Sequence, residues 1–169
     1  MTREEFIEVL EDKRYSYEIE GDKIVVTEEA PVEFTSLKTI PANVEFSNGG
    51  RVELDSLMTI SPGVEFNNAG YVTLKSLNSL PSGMEFNNGG DVYLDSLKSL
   101  PSGVKFNNSG DIYLKSLNSI SSGVEFRNKE GMVYSKLFRG TFGNSNLAIK
   151  GINSRELLNL MIKRSVFAV

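Results

Sequence analysis

Hydrophobic positions recur along this chain every twenty residues, and closely similar polar residues separate them in each copy. Residues 96–115 read SLKSLPSGVKFNNSGDIYLK, and the twenty residues before them read SLNSLPSGMEFNNGGDVYLD. Five such units follow one another without an insertion, and they begin at Ser36, Ser56, Ser76, Ser96 and Ser116. A partial unit precedes them, with Ile24, Val26, Val32 and Phe34 in the places of Val44, Phe46, Val52 and Leu54. After residue 137 the pattern decays.

Each unit holds two pairs of apolar residues that alternate with polar ones, which predicts short strands with one buried side. The first pair has the form Val-x-Phe, and the second has the form Val-x-Leu. In the last unit, Met132 and Tyr134 take the places of the second pair. A third apolar set, Leu-x-x-Ile or Leu-x-x-Leu, does not alternate and predicts a bend. Asn-Asn-Gly-Gly or a close variant separates the first two pairs and predicts a tight turn.

The architecture that these patterns predict is a β-solenoid. Twenty residues without a helix cannot bury their apolar side alone, but they can bury it against an identical unit. Parallel strands then stack at about 4.8 Å per coil, and the apolar residues form continuous internal columns. The predicted fold class is therefore mainly β, with five to six coils and two strands per coil. The sequence leaves the hand of the coil open.

Asn and Gly occupy fixed positions in the predicted turn. The Asn column contains Asn48, Asn68, Asn88, Asn108 and Asn128. Their side chains can bond neighbouring backbone groups, and stacked amides can bond from coil to coil, so we assign them to turn structure. The column that follows contains Gly50, Gly70, Gly90 and Gly110, where we expect a positive φ.

Both ends of the array carry signals for capping elements, which a solenoid needs because its end strands would otherwise stay unpaired. Thr2 and Glu5 form a capping-box pattern for an N-terminal helix, and a hairpin turning at Gly21 follows. Asn153 and Glu156 form a second such pattern for a C-terminal helix. The chain is thus expected to form one structural unit with an acidic N-terminal cap, a solenoid and a basic C-terminal cap, at residues 1–30, 31–137 and 138–169.

The segment YLDSLKSLPSGV resembles leucine-rich repeats, in particular short bacterial ones with Leu-Pro in the loop. It is still more similar to arrays in uncharacterised bacteriophage and bacterial proteins, where such units lie between a small N-terminal cap and a C-terminal helix. That resemblance implies a small viral product, of a kind that often inhibits a host enzyme or defence complex. Leucine-rich repeats place Asn after the Leu-x-Leu strand, whereas here it follows Val-x-Phe, which favours a compact solenoid over a horseshoe.

The composition argues against several classes of function. The chain has no Cys and no His, which excludes disulfide bonds and thiolate metal sites and removes the usual general base. We therefore predict a protein that is not an enzyme and uses no cofactor or metal. The acidic N-terminus does not resemble a secretory signal, and no apolar run reaches the roughly 18–20 residues that span a bilayer. We expect a cytoplasmic location without a membrane partner, in the host cell if the protein is phage-encoded.

Function is expected on the outward columns of the strands. Alternation places Tyr71, Tyr93 and Tyr113 outside, with Glu53 and Thr73 continuing the column of the last two. Exposed tyrosines are typical of binding surfaces, although strand propensity also accounts for them. We predict that a protein partner contacts a surface made of Tyr71, Tyr93, Tyr113, Glu53, Asp95 and Lys115. A second outward column is mostly acidic and contains Glu45, Glu65, Glu85, Lys105 and Glu125. We interpret it as a solvent-exposed face that deters sheet stacking, in preference to a contact surface for a basic partner.

Charge is distributed unevenly along the chain and leaves two alternatives open. The net charge is −6 in residues 1–30, −3 in residues 31–127 and +5 in residues 128–169. The basic end predicts nucleic-acid binding as one alternative, with phosphates held by Lys150, Arg155, Lys163 and Arg164. The other is a structural solenoid that assembles acidic end to basic end. Capping helices oppose such growth, so we expect a monomer or a dimer.

Overall fold

The computed structural model describes residues 1–128, 131–135 and 137 of the chain. Short strands dominate this part, and a single ten-residue helix precedes them. The elements are α1 (Arg3–Asp12), β1 (Tyr17–Glu20), β2 (Lys23–Val26), β3 (Val32–Glu33), β4 (Val44–Phe46), β5 (Val52–Glu53), β6 (Glu65–Phe66), β7 (Val72–Thr73), β8 (Glu85–Phe86), β9 (Val92–Tyr93), β10 (Ser99–Leu100), β11 (Lys105–Phe106), β12 (Ile112–Leu114), β13 (Ser119–Ile120), β14 (Glu125–Phe126) and β15 (Val133–Ser135).

The strands form two long sheets and one short sheet. One long sheet has seven strands in the order β1-β2-β4-β6-β8-β11-β14, and the other has six in the order β15-β12-β9-β7-β5-β3. Neighbouring strands are parallel, apart from the antiparallel hairpin of β1 and β2. Paired residues from β2 to β14 are twenty apart in sequence, as Phe66 and Phe86 are. The predicted β-solenoid, with about six turns, is confirmed.

The third apolar set forms a third side of each coil. Leu77, Leu97 and Leu117 are completely buried there. In two coils this side is a strand rather than the predicted bend, because β10 and β13 pair in parallel through Ser99–Ser119 and Leu100–Ile120. Each coil therefore contributes three apolar sets to one shared core.

Phenylalanine rings form a column through the centre of that core. The rings of successive coils stack with centroids 5.1 to 5.6 Å apart and planes within 7° of parallel. None of these side chains is more than 3% exposed, and they are Phe46, Phe66, Phe86, Phe106 and Phe126. A stacked aromatic pair adds about 0.5–1.5 kcal/mol to the gain from burial. Each coil thus buries the apolar surface of the coil before it.

The buried Asn column also joins neighbouring coils, but through the backbone. Asn88 Nδ2 lies within hydrogen-bonding distance of three carbonyl oxygens, two in its own coil and one, Gly70 O at 3.1 Å, in the preceding coil. Amide-to-amide bonds occur in the neighbouring exposed column, where Asn107 Nδ2 donates to Asn87 Oδ1 at 2.8 Å. The predicted coil-to-coil bonding is present, with a backbone acceptor for the buried amides.

The prediction of a positive φ at Gly50, Gly70, Gly90 and Gly110 is wrong. The left-handed glycines lie one loop earlier, with φ between 73° and 77°, at Gly63, Gly83, Gly103 and Gly123. At Gly90 the constraint is space, because an added Cβ would lie 2.7 Å from Tyr71 N in the preceding coil. Glycine at this column therefore allows two turns of backbone to approach each other closely.

Replacing Gly90 by Ala should destabilise the protein more than replacing Gly83 by Ala. The first change forces a methyl group against the backbone of the preceding coil, and we expect it to cost close to the upper end of about 1–3 kcal/mol. At Gly83 no heavy atom of the described residues lies within 4 Å of an added Cβ, so the cost is backbone strain at positive φ, about 1–2 kcal/mol. Urea unfolding of both variants checks the order, and equal losses would contradict the close-approach explanation.

The predicted N-terminal helix is confirmed as α1. Glu5 N donates to Thr2 Oγ1 at 3.1 Å, and Thr2 N donates to Glu5 Oε2 at 2.7 Å, which completes the capping box. Phe6 and Leu10 are completely buried, and the Phe6 ring lies 5.7 Å from the Phe34 ring. The helix therefore closes the N-terminal end of the core.

The predicted hairpin is also present, and it extends the seven-stranded sheet at that end. Gly21, with φ 63°, forms the turn between β1 and β2. β2 then pairs in parallel with β4, so that Ile24 lies beside Val44. The C-terminal helix predicted from Asn153 and Glu156 lies outside the described residues.

The last described coil contains one extra residue, which corrects the predicted register. β15 pairs with β12 so that Val133 lies beside Ile112 and Tyr134 beside Tyr113, a separation of twenty-one residues. Val133 is buried, whereas Met132 is 42% exposed. The prediction that Met132 and Tyr134 occupy the buried positions is therefore wrong, because the insertion between β14 and β15 shifts each residue by one place.

Candidate functional site

The outward side of the six-stranded sheet carries four tyrosines whose rings are in continuous contact. Tyr93 and Tyr113 stack with centroids 4.5 Å apart and planes 1° apart, and Tyr113 and Tyr134 stack at 5.0 Å and 7°. Tyr71 meets Tyr93 edge-on at 6.1 Å. All four side chains are half-buried. We name Tyr71, Tyr93, Tyr113 and Tyr134 the tyrosine ladder.

The parallel register of the strands produces this arrangement. Tyr93, Tyr113 and Tyr134 lie beside one another on β9, β12 and β15, and the spacing of about 4.8 Å between strands suits ring stacking. Tyr71 comes from the column two positions earlier, and it contacts Tyr93 through its ring and Glu53 through its hydroxyl group. The sequence predicts an outward position for Thr73, but Thr73 is only 4% exposed. It lies between Glu53 and Tyr93 of the neighbouring strands, and Tyr71 contacts both of these residues.

Carboxylates hold the hydroxyl groups of the ladder in place. Tyr93 Oη donates to Asp91 Oδ2 at 2.9 Å, and Tyr113 Oη donates to Asp111 Oδ2 at 3.2 Å. Each carboxylate also accepts a backbone N–H from the next coil at 2.8 Å, Asp91 from Asp111 N and Asp111 from Met132 N. The rings are therefore fixed both at the backbone and at the hydroxyl.

Burial and the nearby carboxylates also keep these phenols protonated. Burial, followed by the hydrogen bond to Asp91, raises the pKa of Tyr93 well above its ordinary value. Burial, followed by the negative charge of Asp111, raises the pKa of Tyr113 to about 12. A protonated phenol keeps donating to its carboxylate at neutral pH. The hydroxyl groups of the ladder therefore offer a partner mainly oxygen acceptors.

Stacking decides which part of each ring a partner can reach. Rings that stack along the array cover each other's faces, so the inner rings present their edges and hydroxyl groups to solvent. Ring edges carry partial positive charge and pack well against carbonyl oxygens or the faces of other aromatic rings. At one end of the ladder, Arg51 Cζ lies 5.9 Å from the centroid of the Tyr71 ring.

The charged residues predicted beside the tyrosines lie on the same surface, and each is paired. Glu53 Oε1 accepts from Arg51 Nε at 2.7 Å and from Tyr71 Oη at 2.8 Å. Asp55, Lys75, Asp95 and Lys115 alternate in charge from coil to coil. They form two ion pairs of 2.7 Å between coils, Lys75–Asp55 and Lys115–Asp95. Exposed pairs of this kind are worth roughly 0–1 kcal/mol each. The structure thus brings together all six residues of the predicted protein-binding surface.

The acidic column on the seven-stranded sheet is partly neutralised by lysines. Lys23 Nζ lies 2.8 Å from Glu45 Oε2 and 3.1 Å from Glu65 Oε1, and Lys105 Nζ lies 2.6 Å from Glu85 Oε1. Burial favours the neutral form of the Glu45 carboxyl, but its hydrogen bonds, led by that from Lys23, lower its pKa to about 2. These contacts favour a solvated face over a docking surface.

The residues predicted to hold phosphates, Lys150, Arg155, Lys163 and Arg164, lie outside the described residues. Within residues 1–128, 131–135 and 137, no group of three or more His, Cys, Asp or Glu side chains is placed to hold a metal ion. In the same part of the chain, no helix has the length and apolar character needed to cross a membrane.

Sequence reasoning missed three residues of this surface. A strict twenty-residue count assigns Tyr134 to the core, because it does not allow for the extra residue in the last coil. The dipeptide Val133-Tyr134 matches Ile112-Tyr113 and was the available signal. Asp91 and Asp111 were not singled out, because the sequence does not indicate that carboxylates two residues before each tyrosine bond its hydroxyl.

Comparison with known proteins identifies no relative. No protein-family model matches the chain, and no significant match is found among curated proteins or solved structures. Its function is therefore inferred from its own residues and contacts.

Proposed function

We propose that this protein is a non-catalytic binding protein that contacts a protein partner through the tyrosine ladder and its flanking charges. The observation that supports this is the fixed state of the ladder, with rings stacked at 4.5 and 5.0 Å and hydroxyls bonded to carboxylates. Side chains that are already immobile lose little conformational entropy when a partner binds. Tyrosine also combines a large contact area with a polar group.

A protein fits the chemistry of this surface better than a nucleic acid does. Residues 1–128 contain 20 Asp and Glu against 11 Lys and Arg, and such a charge repels a phosphate backbone. Single-stranded bases bind by stacking on free ring faces, which the inner rings of the ladder do not present. Backbone N–H groups or Arg and Asn side chains of a protein would find acceptors in Asp91, Asp111 and the phenol oxygens.

The resemblance of the repeat to phage arrays supports a narrower proposal. In this proposal the protein is phage-encoded, acts in the host cytoplasm and occludes a host enzyme or defence complex. A rigid repeat surface suits occlusion, because it covers a site on the partner without needing chemistry of its own. Addition of the purified protein should then reduce the activity of the captured host protein in proportion to the complex formed.

The double substitution Tyr93→Thr, Tyr113→Thr should abolish capture of the partner while the protein stays folded. Thr is a suitable replacement because it occupies the same column at position 73. The variant loses three ring contacts, which should lower the free energy of unfolding by about 1.5–4.5 kcal/mol. That is less than a typical folding free energy of about 5–15 kcal/mol. The measurement is quantitative affinity capture from bacterial lysate with the wild-type protein and the variant, after circular dichroism has confirmed the fold.

A matched control changes two exposed residues on another side of the solenoid, Met58→Thr and Lys98→Thr. This variant should capture the same partner as the wild-type protein. Retention of the partner by the tyrosine variant, at the wild-type level, would show that the ladder is only a structural element and would end the proposal for this surface.

Nucleic-acid binding through the basic C-terminal residues is the competing proposal, supported by the net charge of +5 in residues 128–169. It predicts that replacing Lys150, Arg155, Lys163 and Arg164 by Ala removes binding to a DNA or RNA oligonucleotide. Binding by the wild-type protein should also fall steeply as salt is raised, because phosphate contacts release counterions. Tyr93→Thr, Tyr113→Thr should have no effect on oligonucleotide binding, which separates the two proposals.

A further inference from the structure

Among the described residues, no strand pairs with the outer edge of β1, and the backbone groups that point there have no strand partner. Thr27 N donates to Ser16 O at 2.9 Å, and antiparallel pairs alternate between bonded and non-bonded ones. Glu18 and Glu20 therefore direct their backbone groups toward β2, where they lie beside Val25 and Lys23. The N–H and C=O groups of Tyr17 and Ile19 point the other way, toward the open edge of the seven-stranded sheet.

The side chains of β1 are divided between two chemical types. Tyr17 and Ile19 lie on the side of the sheet that faces the core, next to Val26 and Ile24. Ile19 is nevertheless 46% exposed. Glu18 and Glu20 are exposed on the opposite side. A strand added at this edge would meet apolar side chains on one side and carboxylates on the other.

These carboxylates select against a second copy of the same strand. Two copies of the protein could pair their β1 strands antiparallel, with Tyr17 of each copy bonded to Ile19 of the other. Glu18 of one copy would then lie directly opposite Glu18 of the other. Like charges in that position are destabilising. The same carboxylates attract an incoming strand whose side chains at these places are Lys or Arg.

We propose that the edge of β1 is a docking site for an extended basic segment of another protein, which joins the seven-stranded sheet as an additional strand. The segment alternates apolar and basic residues. Its apolar side chains pack against Tyr17 and Ile19, its basic side chains pair with Glu18 and Glu20, and its backbone bonds to the free groups of residues 17 and 19. The site is independent of the tyrosine ladder, which lies on the six-stranded sheet.

The probe is a nine-residue peptide of alternating Val and Lys, acetylated and amidated at its ends and labelled for fluorescence anisotropy. The full-length protein should bind it, and the amides of Tyr17 and Ile19 should become protected from hydrogen exchange. The double variant Glu18→Lys, Glu20→Lys should lose about tenfold or more in affinity for this peptide. The same variant should gain affinity for the matching peptide of alternating Val and Glu.

A control variant, Glu8→Lys, Glu29→Lys, changes the net charge by the same amount at two exposed positions outside β1. It should bind the Val/Lys peptide at nearly the wild-type level. Equal loss in the two variants would reveal a general charge attraction and overturn the proposal. Failure of the wild-type protein to bind at millimolar peptide, or binding without protection of Tyr17 and Ile19, would overturn it as well.

Discussion

Replacing Asn88 by Asp is expected to destabilise the protein by about 3–5 kcal/mol, a large share of a typical folding free energy of about 5–15 kcal/mol. Asn88 is 1% exposed, and its Nδ2 lies 3.0 to 3.2 Å from three carbonyl oxygens. Its Oδ1 has no hydrogen-bond partner among the described residues. A carboxylate would bring a second oxygen against those carbonyls and would find no donor for either oxygen. Denaturant unfolding at neutral pH gives the free energy that checks this.

The same substitution at the neighbouring residue provides the control. Asn87 is exposed, and Asn87→Asp should change the free energy of unfolding by less than about 1 kcal/mol. The penalty at Asn88 belongs mainly to the charged form of the introduced carboxyl. At about pH 4 and below that carboxyl is protonated in the unfolded chain as well, so the gap to the wild-type protein should narrow. Similar losses in the two variants, or a gap that widens in acid, would contradict the assigned role of the buried amide.

The architecture was predictable because the chain supplies its own internal alignment. Five copies of one unit reveal which positions are always apolar, and burial of the Phe column from Phe46 to Phe126 follows directly. The capping box of Thr2 and Glu5 and the turn at Gly21 are local signals that depend on few neighbours, and both were predicted correctly. The predicted outward position of the tyrosines follows from strand alternation alone.

The prediction errors have three causes: a residue type that serves two physical purposes, contacts between coils, and an inserted residue. A repeated Gly indicates a constraint, but the sequence does not say whether that constraint is a positive φ, as at Gly83, or a close backbone approach, as at Gly90. The edge position of β1 and the burial of Thr73 depend on how neighbouring coils pack in space. One inserted residue in the last coil moves Met132 and Tyr134 out of their predicted core positions and places Val133 in the core.

Deleting residues 76–95 should leave a folded protein, whereas deleting residues 76–85 should abolish folding. The longer deletion removes one complete coil, so that Ser96 follows Lys75 as Ser76 does now, and every apolar column continues unbroken. The coils on either side then stack directly, and Glu65 gains Lys105 as its neighbour in place of Glu85. Stability should fall because one inter-coil interface is lost, but unfolding should remain cooperative.

The shorter deletion removes half a period and puts the apolar sets of the following coils out of phase with those before them. Buried positions then face turn residues, and the parallel stacking that fills the core cannot form across the junction. Circular dichroism and thermal unfolding of the two proteins test the prediction, with the unchanged chain as the reference. If both deletion variants unfold cooperatively, coil register does not hold the solenoid together. If neither variant folds, the coils are not interchangeable units. A core in which each coil is completed by an equivalent neighbour requires that the twenty-residue deletion variant folds and the ten-residue deletion variant does not.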